Sequence, residues 1–338
     1  MSKKSKKWIN FLLLFIVVGI VLYFSLKDNF FLIINELKHI DYFFLIIALI
    51  IVIFYYILRS FSLYEFIKTA NKDIKFISVV RLILMMTFFD GVTPFASGSQ
   101  PFQIYYLKKK GVTIADATNI TIQNFIVYQL ALVLFGVFAI ISNYMFNIFT
   151  VNSLLKNLVL LGFITNLLVT IGLFMLAFLK RFNKFVVKII ITLLYKLKIV
   201  KNKEEKIKEF EEQLIEFNLG AKELLKNKNL FLKGIFFNIL SLSFLYSVPL
   251  FILFSLNDFT SINLFNSIVT TSYVMLIGSF VPIPGGTGGL EYGFIAFFSN
   301  FLIGEKLTAA MLVWRVATYY FGILIGALAL IKRRKKKI

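Results

Sequence analysis

Apolar runs of about the 20 residues that a spanning helix needs recur at 8–26, 42–64, 117–143, 154–179, 231–256 and 307–331. In hydrocarbon every backbone N–H and C=O must find its partner inside the protein, so such a chain folds as packed helices or as a closed barrel. Continuous apolar runs without two-residue alternation select helices. The 338 residues are 59% hydrophobic with mean hydropathy +0.84, against roughly 45–50% apolar residues in soluble domains, and a water-soluble core could not hide that surface. The expected class is an all-α polytopic membrane protein, one membrane domain over 1–338 with about six full spans.

The first run, Trp8 to Leu26, follows Lys3, Lys4, Lys6 and Lys7, as a signal peptide would. It is too long for a typical signal core and no small-x-small cleavage site follows, so it reads as a retained span. Two more apolar stretches, 76–110 and 263–303, are each broken by glycine, proline and small polar residues. Charge then sets the topology. With the N-terminus inside, Lys3–Lys7, Lys68–Lys75, Lys108–Lys110, Lys180–Lys228 and Lys332–Lys337 face the cytoplasm, while 27–41, 144–153, 257–262 and 304–306 hold only Lys27, Lys38 and Lys306. The arrangement closes only if 76–110 dips in from the cytoplasm and 263–303 dips in from outside, giving two re-entrant hairpins of opposite sense. The cytoplasmic membrane is thus the expected location, with both termini cytoplasmic. A cysteine introduced at Asn147 should be labelled from outside intact cells and one at Asn202 should not; the chain's own lack of cysteine makes this clean, and the reverse result would end the topology.

The segment 181–228 reads as a cytoplasmic amphipathic insert. Arg181, Lys184 and Lys188 oppose Phe185, Val186, Ile189 and Leu193, the pattern of a helix lying in the interface. From 203 to 226 the apolar positions Ile207, Phe210, Leu214, Phe217, Ala221 and Leu224 form a heptad-like stripe, which packs on the membrane face or a neighbouring helix, or else joins a cytoplasmic partner or a second copy of the chain.

The first break runs from Asp90 through Gly91, Thr93, Pro94, Ser97, Gly98, Ser99 and Gln100. Gly91 and Gly98 permit unusual backbone angles, Pro94 disfavours helix at Thr93, and Ser99 as N-cap with Pro101 just inside starts a new helix that ends at Lys108–Lys110 before Gly111. The second break, Pro282-Ile-Pro-Gly-Gly-Thr-Gly-Gly-Leu-Glu291, cannot be regular helix, and its backbone survives at membrane depth only if protein or a watery cavity satisfies it. Oppositely inserted broken helices suggest the inverted repeats of secondary transporters. Their half-helix N-termini carry unpaired N–H groups and partial positive charge, a receptor for phosphate. Substrate-binding candidates are therefore Asp90, Thr93, Ser97, Ser99, Gln100 and Tyr105 from the first break and its helix, with Gly285, Gly286, Thr287, Glu291 and Arg315 from the second break and last span. A central Arg, Asp or Glu costs about 2.5–3.5 kcal/mol on insertion, so each needs a partner or a task. Arg59 and Arg81 are read as snorkelling to the cytoplasmic interface. Glu291 and Arg315 form an ion pair or jointly contact the amine and phosphate of a headgroup.

Thr93-Pro94-Phe95 with Gly98, Gln100-Pro101 and Tyr105-Tyr-Leu-Lys-Lys-Lys-Gly111, then the second break and Arg315, resembles the lysylphosphatidylglycerol synthase/flippase membrane-region family over about 8–331. That family often has Gly-Gly-Glu-Pro where this chain has Gly98-Ser99-Gln100-Pro101, so the first break lacks the family's acid. In bifunctional members a soluble C-terminal domain transfers lysine from lysyl-tRNA to phosphatidylglycerol, and the membrane region moves the product outward. Because this sequence closes at Ile338 after a basic tail, the resemblance implies the translocating half without the transferase domain.

Inventory narrows the function. With no cysteine and a single histidine, His39, disulfides, cysteine zinc sites, thiol nucleophiles and Ser-His-Asp triads are excluded. No Walker A motif points to ATP, and no cofactor or metal is expected. The net charge of +20 sits in runs beside apolar segments, which orients helices in an anionic membrane and needs no nucleic acid. The expected partner is a membrane phospholipid or lipid-linked phosphate, moved by a flippase or scramblase. The alternatives are an integral headgroup transferase with Asp90 or Glu291 as general base, and a membrane scaffold for a separate synthetase.

Overall fold

The computed structural model describes residues 38–196, 202, 204–208, 222 and 226–331. The expected first span at 8–26, most of the stripe at 203–226 and the basic tail at 332–337 lie outside the described residues. No strand occurs among those described, and the molecule is a polytopic all-α membrane protein. Among the described residues, five helical segments are long and apolar enough to cross a membrane: α1 (Tyr42–Ala70), α4 (Ile114–Phe146), α5 (Ser153–Phe178), α7 (Lys228–Ser255) and the stack of α10 (Gly304–Arg315) on α11 (Phe321–Leu330). Local sequence sets where they begin. Asp41, Thr113, Asn152 and Asn227 each accept a first-turn N–H that the helix itself cannot pair.

The two broken stretches become hairpins of short helices. In the first, α2 (Phe76–Val92) and α3 (Ser99–Lys109) have 17 and 11 residues; in the second, α8 (Leu264–Gly278) and α9 (Gly289–Phe298) have 15 and 10. None reaches the about 20 residues of a span. Both fold back on themselves. Tyr106 near the end of α3 donates to the Ser78 carbonyl near the start of α2, 3.2 Å away, while Gly278 and Gly293 lie against Leu290 and Val274 across the second hairpin. The stop signal of α3 acts as its sequence implies: Gly111 at φ 86° lets its own N–H reach Lys108 O and that of Val112 reach Leu107 O.

The bundle has two distinct ends. At one, Lys233 pairs with Glu65 at 3.1 Å, Asn71 donates to Lys110 O and Arg81 donates to Ala329 O and Ile331 O. At the other, Asp41 N–H reaches Ser255 O, Thr150 meets Asn300 and Lys306 lies 3.9 Å from Asp258. Asp258 is held below the usual carboxylate range: partial burial opposes this, but the hydroxyl and N–H of Ser261, the N–H of Thr260 and nearby Lys306 outweigh it. Lys68, Lys72, Lys75, Lys108, Lys109 and Lys110 all gather at the first end.

Helix α6 (Lys180–Lys196) follows α5 almost directly. Phe185 and Ile189 on its apolar side remain exposed to the surroundings, as Arg181 and Lys188 do on the other. A helix with one bare apolar side and one basic side suits a membrane surface.

Candidate functional site

Both breaks open on the same turn and diverge after it, Ser97 at ψ −6° and Thr287 at ψ 139°. Pro94-Phe95-Ala96 and Pro284-Gly285-Gly286 are 3₁₀ turns in which the two residues after the proline have positive φ, 54° and 50° in the first, 67° and 62° in the second. In each, the last of these donates its N–H to the residue before the proline: Ala96 to Thr93 O and Gly286 to Ile283 O. Next, a hydroxyl donates back to the proline carbonyl, Ser97 at 2.9 Å and Thr287 at 2.8 Å. Gly98 and Gly288 follow, and a helix begins at the next residue. The shared pattern is Pro-x-x-Ser/Thr-Gly, visible in the sequence once the two breaks are aligned on their prolines.

Glycine's part in the first break differs from the sequence expectation. The left-handed backbone falls on Phe95 and Ala96, whereas Gly91 is helical and Gly98 sits at φ −79°. Gly91 is needed for contact instead, since a Cβ there would lie 2.8 Å from the Ile323 side chain. Nor is Ser99 the N-cap. Gly98 holds that place, its N–H taken by Thr93 Oγ1 at 2.9 Å, and Ser99 is the buried first residue of α3.

The two turns pack against each other, and the last span shows at what level. Helix α2 runs antiparallel to α11, with Arg81 beside Ile331, Thr87 beside Gly322 and Gly91 beside Tyr319. The second hairpin runs the other way along α10, so that Phe294 stacks on Trp314 and Gly285 reaches Arg315. Entering from opposite ends of the stack Gly304–Leu330, the hairpins meet tip to tip at Arg315–Tyr319, near the middle of its 27 residues. There the span itself is irregular, with a π-helical turn at Val316–Tyr320.

Arg315, 3% exposed, is the hub. Its Nη2 donates to Gly285 O at 3.1 Å and lies 3.5 Å from Thr287 Oγ1, and its Nε stands 2.7 Å from Glu291 Oε1 in an ion pair without hydrogen-bond alignment. The guanidinium covers the Tyr319 ring at 4.4 Å, and the Tyr319 hydroxyl donates to Gly91 O at 2.9 Å. Tyr319, which the sequence reading missed, therefore joins the first break to the second. Glu291 Oε2 accepts the Gly288 N–H at 2.7 Å, so the start of α9 is already covered by the chain's own acid.

The remaining candidates divide. Asp90 faces the hydroxyl and N–H of Ser99 at the start of α3, although its Oδ1 is buried without a partner. Thr93 donates to Phe89 O and Ser97 is exposed at the tip. Gln100 is half-buried in the first turn of α3. Tyr105 lies apart from the junction, exposed under the Lys109 ammonium at 4.4 Å. Arg59, expected to snorkel, is instead fixed inside the bundle: it donates to Tyr55 OH at 3.1 Å and lies 4.8 Å from the Tyr128 ring centre. Two aromatic partners supply what water would otherwise give the cation. The junction is open on one side, where residues 94–97, 282, 283, 288 and 292 are exposed. Gathered here are the Arg315–Glu291 pair, the hydroxyls of Ser97 and Thr287 and the backbone of both turns, a polar patch halfway along an apolar span.

The family described as Lysylphosphatidylglycerol synthase TM region matches residues 10–326. No curated protein matches the chain.

Proposed function

The chain belongs to the lysylphosphatidylglycerol synthase transmembrane-region family, and from that premise we propose that it moves a phosphate-bearing lipid between membrane leaflets. The observation that carries this reading is the tip-to-tip meeting of the two hairpins at Arg315–Tyr319. Polar backbone and paired charges at the middle of a span are costly, and a purely structural bundle has no use for them. Open on one side, the junction gives a headgroup a polar step across the hydrocarbon while the acyl chains stay in lipid. A phosphate arriving there would draw Arg315 from Glu291 and take that acid's place on the Gly288 N–H at the start of α9. Phosphatidylglycerol, its lysyl ester and polyprenyl-phosphate lipids all present that group. The same reading puts the basic end of the bundle in the cytoplasm.

Reconstituted into liposomes with fluorescent forms of these three lipids, the protein should speed loss of leaflet asymmetry for at least one, measured by accessibility to an added quencher. Unchanged rates for all three would overturn the reading. A new lipid product in the same vesicles would favour a headgroup transferase.

A further inference from the structure

The hydrogen bonding around Asp90 is incomplete in a way the lipid site does not use. Its Oδ1 is buried with no partner, and so is Nε2 of Gln103, a residue 1% exposed. Gln103 lies one turn beyond Ser99 on the same buried side of α3, and Ser99 faces the Asp90 carboxyl. Arg59 is within electrostatic reach of Asp90, but its guanidinium is held by Tyr55 and Tyr128, and among the described residues the two form no ion pair. The surroundings are otherwise neutral. From α1 come Tyr56 and Arg59, from α4 Tyr128, from α3 Ser99 and Gln103, and from the last span Tyr319, which binds the neighbouring Gly91 carbonyl. The Pro284–Gly286 turn that packs on α2 contributes no titratable group, and the nearest charges behind it, Glu291 and Arg315, are committed to each other.

A buried carboxylate oxygen without a donor is unfavourable while ionised, and three things relieve it: a proton, a cation or a donor drawn in from nearby. A metal cation is opposed by Arg59, and among the described residues no cluster of acids or histidines stands with Asp90 to hold one. A proton needs no such cluster. An unused donor, the Gln103 amide, and a cation standing off, Arg59, are the groups that would close on Asp90 once the proton left. We propose that Asp90 is a reversible proton-binding site, and that its loading and unloading drive the first hairpin's tip relative to α1 and α3, coupling lipid transfer to a proton gradient. The coupling rests on the transport reading; the proton site does not. No bond other than the carboxyl O–H is made or broken, and the proton comes from and returns to the aqueous phase.

Two measurements on the reconstituted full chain separate these claims. Infrared difference spectra recorded against pH should show a protonated-carboxyl band that titrates in the wild type, is absent in Asp90→Asn and moves in Asp90→Glu. No band assignable to Asp90 at any pH would overturn the site. In liposomes holding a transported fluorescent lipid, an imposed pH gradient should change the wild-type transfer rate several-fold and leave Asp90→Asn indifferent. A titrating band with wild-type transfer blind to the gradient would overturn the coupling. A titrating band with no lipid transfer at all would sustain the proton site and sink the transport reading. Asp90→Glu, which keeps the acid, guards against a variant that fails to fold.

Discussion

Glu291→Gln should abolish lipid transfer and cost less stability than Arg315→Ala, which should abolish transfer and destabilise the protein by about 3 kcal/mol. The difference follows from what each change leaves behind. In Glu291→Gln the new amide keeps an oxygen for the Gly288 N–H, and Arg315 keeps the Gly285 carbonyl and the Tyr319 ring, so no charge is stranded without contacts. Arg315→Ala removes the cation beside a carboxylate whose side chain is only 13% exposed, and it frees the Gly285 carbonyl as well. Arg315 holds contacts on the second break and on Tyr319 together, so its loss costs more. Combining the two changes should restore part of the lost stability, because the unpaired acid is gone. Thermal unfolding in detergent reads the stability and the leaflet assay reads the transfer. Normal transfer by Glu291→Gln, or equal stability of the two single variants, would contradict the account.

How far the sequence led depended on which physical signal each residue carried. Helix existence was legible because apolar runs of membrane length admit one solution, and the stop at Gly111 followed from a residue whose backbone freedom reports its role; the caps Asp41 and Thr113 show themselves only in the fold. The second break was legible from its glycines, two of which hold left-handed backbone in the turn. The first was found but misread. Its left-handed residues are Phe95 and Ala96, non-glycine residues that adopt such angles at a cost of about 1–2 kcal/mol each, and no composition rule would pick them. What betrays the turn is the alignment of Pro94 and Ser97-Gly98 with Pro284 and Thr287-Gly288.

Tyr319 and Arg59 were illegible for a different reason. A tyrosine within an apolar span reads as ordinary packing, and only the fold shows that the Tyr319 hydroxyl reaches Gly91, 228 positions away in the chain. The expectation for Arg59 came from its nearness to a basic end, a rule that assumes water as the default partner for a cation. Tyr55, one turn earlier, was in plain view; Tyr128 on a distant helix was not. Pairings between spans are set by tertiary packing, and a single sequence records each side without the other.

Gly285→Ala should be the most damaging single-methyl change at the junction, costing about 3 kcal/mol and removing transfer. Two penalties add. Gly285 sits at φ 67°, where an L-residue pays about 1–2 kcal/mol, and its new Cβ would overlap Cε2 of Tyr319. That ring has nowhere to go. One face carries the Arg315 guanidinium at 4.4 Å, and its hydroxyl is anchored on Gly91 O at 2.9 Å, so relieving the clash means breaking the tie between the two breaks. Gly304→Ala is the control. Its φ, 60°, is close to that of Gly285, but a Cβ there meets nothing within 4 Å, so only the backbone term of about 1–2 kcal/mol should remain. Unfolding midpoints and transfer rates of the two variants, measured side by side, separate the backbone term from the contact. If Gly285→Ala proved no worse than Gly304→Ala in both, Tyr319 would not be wedged between the breaks, and the junction would not depend on it.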